Sequence, residues 1–245
     1  MKIISLSNSK FDLGNRLHVK ISIILILLIS FFVVMHLICY YLTHLGFQDT
    51  DKTYNFTHAL FFFDAEKTIP AWFSSCMLWT SGIGALVISA LEQDKLFKKY
   101  WFIIGLSLLY VSLDEMISLH EHGSKIVDSF IFRNIQLPDF LYFSWVIPAM
   151  VLILIFFVYL IPFFANLEKQ VRILLYLSAS IYLLGAVGCE MFGGYFKVNS
   201  MENFYRLAST LEETFEMIGV VVFFHVVRSV ALHKYKELVL ISSTK

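Results

Sequence analysis

Charge of either sign is scarce in this chain. Only 16% of its 245 residues are charged, and 19 basic side chains balance 19 acidic ones. There is neither the basic stripe of a nucleic-acid binder nor a patch for an anionic surface. Cysteine is equally sparse: Cys39, Cys76 and Cys189 fall inside apolar runs and share no metal-ligand or redox spacing, which marks them as buried thiols. Nucleophile elbows, phosphate-cradling glycine loops and paired zinc-protease histidines are all missing. The most easily recognised enzyme classes are thereby excluded.

What the chain has in excess is apolar surface. Its hydrophobic share is 58% and its mean hydropathy +0.72, against the roughly 45–50% apolar content of a soluble domain. The surplus has to face lipid. The first apolar run, Ile21 to Leu42, exceeds the apolar core of about 7 to 15 residues in a signal peptide and has no small-x-small cleavage site after it. It therefore reads as a retained membrane anchor.

A helix rises about 1.5 Å per residue, so crossing a hydrocarbon core of about 30 Å takes roughly 20 apolar residues. Six segments approach this: 21–43, 70–91, 100–119, 140–164, 172–191 and 208–231. Backbone polar groups in lipid must pair internally, and the alternation of a membrane barrel is absent, so all six are expected to be helices. The expected fold is an all-α polytopic bundle of about six transmembrane helices, one integral membrane domain over residues 1–245. Pro70 suits a first helical turn, whereas Pro148 and Pro162 should kink or end the fourth helix.

Thirteen Lys and Arg residues lie in the N-terminal tail, the two loops near 92–100 and 165–172, and the C-terminal tail; the other three loops hold six. Basic residues favour the cytoplasmic side, so both termini are expected there. Loops 44–69, 118–139 and 192–207 then face outward.

Two helices are too short in their uncharged part. Fourteen uncharged residues separate Lys99 from Asp114 and eleven separate Glu216 from Arg228, covering about 21 Å and 16 Å. Some of these carboxylates must lie within the membrane. Counting from the basic residue at each cytoplasmic end, Asp114, Glu115, Glu212 and Glu213 come out level at about 22–24 Å, and Glu190 at about 27 Å. Glu66 just precedes the second helix on the same side. If the third helix runs through residue 122, Asp114, Glu115, Glu121 and His122 share an arc of about 120°, and His120 points elsewhere unless the helix breaks first. Glu212, Glu213 and Glu216 share an arc with Ser209.

These eight carboxylates cannot all stay ionised in a low-dielectric place without counter-charge. The remedies are a bound cation, basic side chains or retained protons. Oxygen ligands with one or two imidazoles suit zinc, iron or manganese, and helical bundles build carboxylate dimetal sites from facing helices, although the usual Glu-x-x-His pair is missing. The metal-ligand candidates are Asp114, Glu115, His120, Glu121, His122, Glu212, Glu213 and Glu216, with Glu66 and Glu190 as additional members. Each also has a plain structural reading as a helix-end or capping group. Trp72, Trp79, Trp101 and Trp145 read as lipid-facing or interfacial anchors.

Three stretches occur together: Ile69-Pro70-Ala71-Trp72-Phe73-Ser74-Ser75; Ser112-Leu113-Asp114-Glu115 followed by His120-Glu121; and Leu211-Glu212-Glu213 followed by Glu216-Met217-Ile218-Gly219. Together they resemble a group of uncharacterised bacterial multi-pass membrane proteins, which implies a place in the bacterial inner membrane but no activity. His225 and His233 lack the His-x-x-x-His spacing of alkaline-ceramidase-type hydrolases. Three classes of function follow. One is a metal-dependent enzyme acting at the outer face on a lipid-soluble substrate. The others are a proton- or cation-coupled transporter and a non-catalytic subunit of a membrane complex.

Overall fold

In the computed structural model, residue 13 and residues 16–45, 52–63, 68–130 and 135–243 are described. They form nine α-helices: α1 Arg16–His44, α2 Lys52–Phe61, α3 Ile69–Leu91, α4 Lys95–Ile117, α5 Leu119–Phe130, α6 Val146–Asn166, α7 Lys169–Leu183, α8 Glu190–Val198 and α9 Glu202–Ser243. A 3₁₀ turn, Asp139–Leu141, precedes α6, and a π-helix, Leu184–Cys189, joins α7 to α8. No strand occurs among the described residues. Six helical stretches are long and apolar enough to cross a membrane, the fifth being the continuous run Lys169–Val198. The protein is a multi-pass membrane helix bundle.

Local chemistry sets the helix bounds. The Thr68 side chain accepts from the Ala71 N–H at the start of α3, with Pro70 in the first turn as expected. Asp94 caps α4 by accepting from the N–H groups of Leu96 and Phe97 at 2.9 and 3.0 Å, so this helix starts at Lys95 rather than near residue 100. It stops at Ile117, because Ser118 adopts the left-handed conformation with φ 48° and ψ 50°. The fourth span starts at Val146 rather than near 140, which places Pro148 in the first turn, where its missing N–H costs nothing. Pro162 lies inside the last part of α6, and the Asn166 amide donates to its carbonyl at 2.7 Å.

Two seams of small residues hold the bundle. Between α3 and α4, Gly82 and Gly105 face each other so closely that a Cβ on either would lie 3.0 Å from the other's carbonyl oxygen. Two turns further along, Ser75 and Ser112 each donate to the other's carbonyl at 2.8 Å. Between α7 and α9, a Cβ on Gly219 would sit 2.7 Å from the Tyr182 nitrogen, and the Ser178 hydroxyl donates to the Gly219 carbonyl at 2.8 Å. Close backbone approach through glycine and serine is how helices associate where lipid supplies no hydrophobic drive. By contrast, α6 stands off from α7 and α9 and approaches α4 at few places. The end of the bundle away from both termini, called distal here, carries the site.

Candidate functional site

The left-handed turn at Ser118 folds the chain back over the end of α4. His120 consequently lands on Asp114: its backbone N–H donates to Oδ1 at 2.8 Å, and its ring Nδ1 donates to Oδ2 at 2.9 Å. Both carboxylate oxygens are thus engaged by one residue, which fixes the imidazole's orientation. The other face of the arrangement is aromatic, since the His120 ring packs on Trp145 with centroids 4.6 Å apart. Trp145 in turn donates its indole N–H to Glu190 Oε1 at 3.1 Å.

Glu190 owes its position to the π-helix before it. A π-helix contains one more residue per turn than the α-helices it interrupts and rotates everything after it. Gly185, at the start of this segment, lets α9 approach so closely that a Cβ there would be 2.7 Å from the Glu212 carbonyl oxygen and 3.0 Å from Glu216 Cγ. The Glu190 and Glu212 carboxyls lie in electrostatic range of each other, and like charges so placed disfavour joint ionisation. Glu216 is only 8% exposed and lies in electrostatic range of Glu115, Glu213, Glu190 and Asp114. Tyr182 sits within range of Glu216, Glu115, Asp114 and Glu213. Ser74 is fully buried and its hydroxyl faces the Glu115 carboxylate.

Seven of the candidate residues therefore converge: Asp114, Glu115, His120, Glu190, Glu212, Glu213 and Glu216. His122 does not join them. It is exposed, and its Nδ1 donates to the Ser118 carbonyl at 2.8 Å, a local capping role. Glu66 and the Glu121 side chain lie outside the described residues. Among the described residues no three His, Cys, Asp or Glu side chains form a group that could hold a metal ion. Trp145, Tyr182 and Ser74 were not singled out from sequence. Ser74 lies inside the Ile69–Ser75 motif, whereas nothing local separates Trp145 from an interfacial anchor or Tyr182 from ordinary apolar packing.

The space left by the stand-off of α6 is a cavity of about 1050 Å³ between α4, α6, α7 and α9. Its wall is apolar along most of its length. At the distal end lie Asp114 and His120, its one carboxylate and its one imidazole among the described residues, with Trp145 beside them. Lining residues Leu106 and Tyr110 on α4 and Leu152 and Ile155 on α6 are 47–65% exposed, so the cavity opens sideways, between two membrane-spanning helices. A second cavity of about 350 Å³ touches the opposite side of the site through Thr68, Trp72 and Glu115.

Toward the termini the polar cluster ends abruptly. Met217, Val220 and Val221 are 1–3% exposed, and about 13 Å of helix separates Glu216 from the next polar side chain on α9, the half-buried His225. That group bonds Ser22 and the Leu13 carbonyl, while His18 bonds Ser229.

A family model described as a domain of unknown function (DUF8692) matches residues 19–230. No curated protein and no solved structure matches the chain.

Proposed function

The chain belongs to the DUF8692 family of domains of unknown function, and from the geometry of its site we propose that it is a membrane enzyme performing acid–base chemistry on the polar end of a lipid-soluble substrate. The observation that carries this reading is the cavity: it opens toward lipid, is mostly apolar, and among the described residues meets a carboxylate or an imidazole only where the Asp114–His120 pair enters its wall. The hydrocarbon part of a substrate would enter between α4 and α6, and its polar end would come to rest beside His120.

His120 is the group that gives or takes a proton there. Asp114 holds the ring through Nδ1, orients it toward the cavity and balances its charge when protonated. The carboxyls behind, Glu115, Glu190, Glu212, Glu213 and Glu216, form a reservoir that exchanges protons with the pair. On this reading the protein lies in a bacterial inner membrane with the site at the outer face.

Coupled transport is the less favoured reading. An ion released from the carboxylates toward the termini would have to cross the level of Met217, Val220 and Val221, which are buried in a mainly apolar cluster.

Comparing total lipid extracts from cells expressing the parent chain, His120→Ala or Asp114→Asn tests the proposal. At least one lipid species should accumulate or disappear with the parent alone, since removing a general base typically lowers turnover by about 10²–10⁴-fold. Extracts indistinguishable among all three would overturn it.

A further inference from the structure

We propose that the turn after α2 is fastened to the bundle by a proton-sensitive clasp, in which neutral His36 holds the Phe63 backbone and protonated His36 lets it go. The clasp stands apart from the lateral cavity and from the reaction proposed there. His36 lies on α1 and is only 4% exposed. Just past the end of α2, the Phe63 N–H donates to His36 Nδ1 at 3.1 Å, and Nε2 meets Thr210 Oγ1 on α9 at 3.0 Å. The Phe63 ring stacks on the imidazole, with centroids 4.6 Å apart and planes 13° from parallel. One ring thus ties the turn to both α1 and α9.

The hydrogen bonds fix the protonation of that ring. A backbone N–H can only donate, so Nδ1 is the bare, accepting nitrogen. The Thr210 hydroxyl directs its own proton to the Arg206 carbonyl at 2.8 Å, so it accepts from Nε2, which carries the hydrogen. The imidazole is therefore held as one neutral tautomer. A second proton has only Nδ1 to go to, where it turns the acceptor into a donor facing another donor. The Phe63 bond is then lost, while the Thr210 bond survives.

Charge acts in the same sense. The groups in electrostatic range of the ring are His58 on α2 and Arg206 on α9, so an imidazolium would stand beside a guanidinium. Once Phe63 is released, the ring takes up a proton near the ordinary imidazole value of about 6.5. The clasp accordingly holds in full above that value and weakens by up to about tenfold per pH unit below it. Phe63 itself is 4% exposed and packs in the apolar cluster with Phe32, Phe73 and Met217. Thr68, five residues on, lines the second cavity beside Glu115, so acid at the distal end loosens the side of the site that faces this cavity.

Hydrogen exchange on the purified full-length protein, corrected for the intrinsic pH dependence of exchange and read on the peptide carrying the Phe63 amide, tests the clasp. Protection in the parent should fall by about 10- to 30-fold between about pH 7.5 and about pH 5, as one proton taken up only by the released state requires. His36→Gln offers an amide oxygen to Phe63 and an N–H to Thr210 but takes up no proton in this range, so its protection should be the same at both. His58→Gln should keep the parent's fall, and it keeps the test decisive if the first variant fails to fold. Protection in the parent that ignores pH, a fall that persists in His36→Gln, or one that vanishes in His58→Gln overturns the proposal.

Discussion

The site depends on atoms that are absent as much as on those present. At Gly185 the hydrogen in place of a side chain lets the π-helix lie against α9, where a Cβ would come within 2.7 Å of the Glu212 carbonyl and 3.1 Å of the Glu216 nitrogen. Backbone cannot move aside as a flexible side chain does, so Gly185→Ala is expected to cost about 1–3 kcal/mol through overpacking. Gly123 on α5 makes the comparison: a Cβ there meets nothing within 4 Å. Gly123→Ala should be neutral to stabilising by up to about 1 kcal/mol, because alanine gives up less backbone entropy on folding. Thermal unfolding of the two variants in detergent checks both signs at once, and a fall for Gly123→Ala as large as that for Gly185→Ala would remove close helix contact as the explanation. A different residue-scale link lies at the opposite end, where Lys234 Nζ and Glu92 Oε2 are 2.9 Å apart with side chains only 15% and 10% exposed. Lys234→Ala strands a largely buried carboxylate and should destabilise by about 1–3 kcal/mol. The same unfolding measurement reads it, and an unchanged midpoint would mean that water replaces the ammonium without loss.

At the scale of elements, the π-helix decides where Glu190 points. Its extra residue turns α8 relative to α7, and the Trp145 indole and the Glu212 carboxyl meet Glu190 only in that register. Deleting Val187 should restore an α-helical repeat, swing Glu190 by about 100° and abolish the lipid change produced by the parent chain. The α7 and α9 seam around Ser178 and Gly219 would stay intact. A deletion variant that retains full activity would show that Glu190 is a bystander. Elements also divide what was legible from what was not. Span number and approximate position followed from length and hydropathy, since roughly 20 apolar residues in a row have few other uses. That Asp114 and Glu115 on α4 come within electrostatic range of Glu216 on α9 accords with counts made from a fixed rise per residue. His120 was a candidate, but its pairing with Asp114 escaped, because that turns on one residue, Ser118, leaving the helical region of backbone space, and serine carries no strong signal for that. The π-helix escaped for a related reason: Leu184–Cys189 has the composition of any buried membrane helix. The cavity arises from α6 packing loosely against several partners at once, a tertiary property that no local pattern encodes.

For the whole molecule the governing fact is asymmetry across the membrane. Carboxylates gather at the distal end, while Lys95, Lys98, Lys99, Lys169, Arg172, Arg228, Lys234 and Lys236 lie toward the termini. Basic residues resist translocation, so the charge distribution that directs insertion also places the site. Insertion in the opposite sense would carry these eight cations across and leave the acidic end in the cytoplasm. The expected arrangement puts α5 outside and the α3–α4 link inside, and both offer exposed lysines for labelling, Lys125 and Lys98. In intact cells a membrane-impermeant maleimide should modify Lys125→Cys and spare Lys98→Cys until the membrane is permeabilised. The native thiols should contribute little background, since Cys39 and Cys189 are buried and Cys76 is partly so. The reverse pattern would place the Asp114–His120 pair at the cytoplasmic face and draw its substrate from the inner leaflet. Because the cavity opens sideways between α4 and α6, the leaflet that reaches its distal end is set by this orientation alone, so one labelling experiment also fixes from which side of the bilayer the substrate arrives.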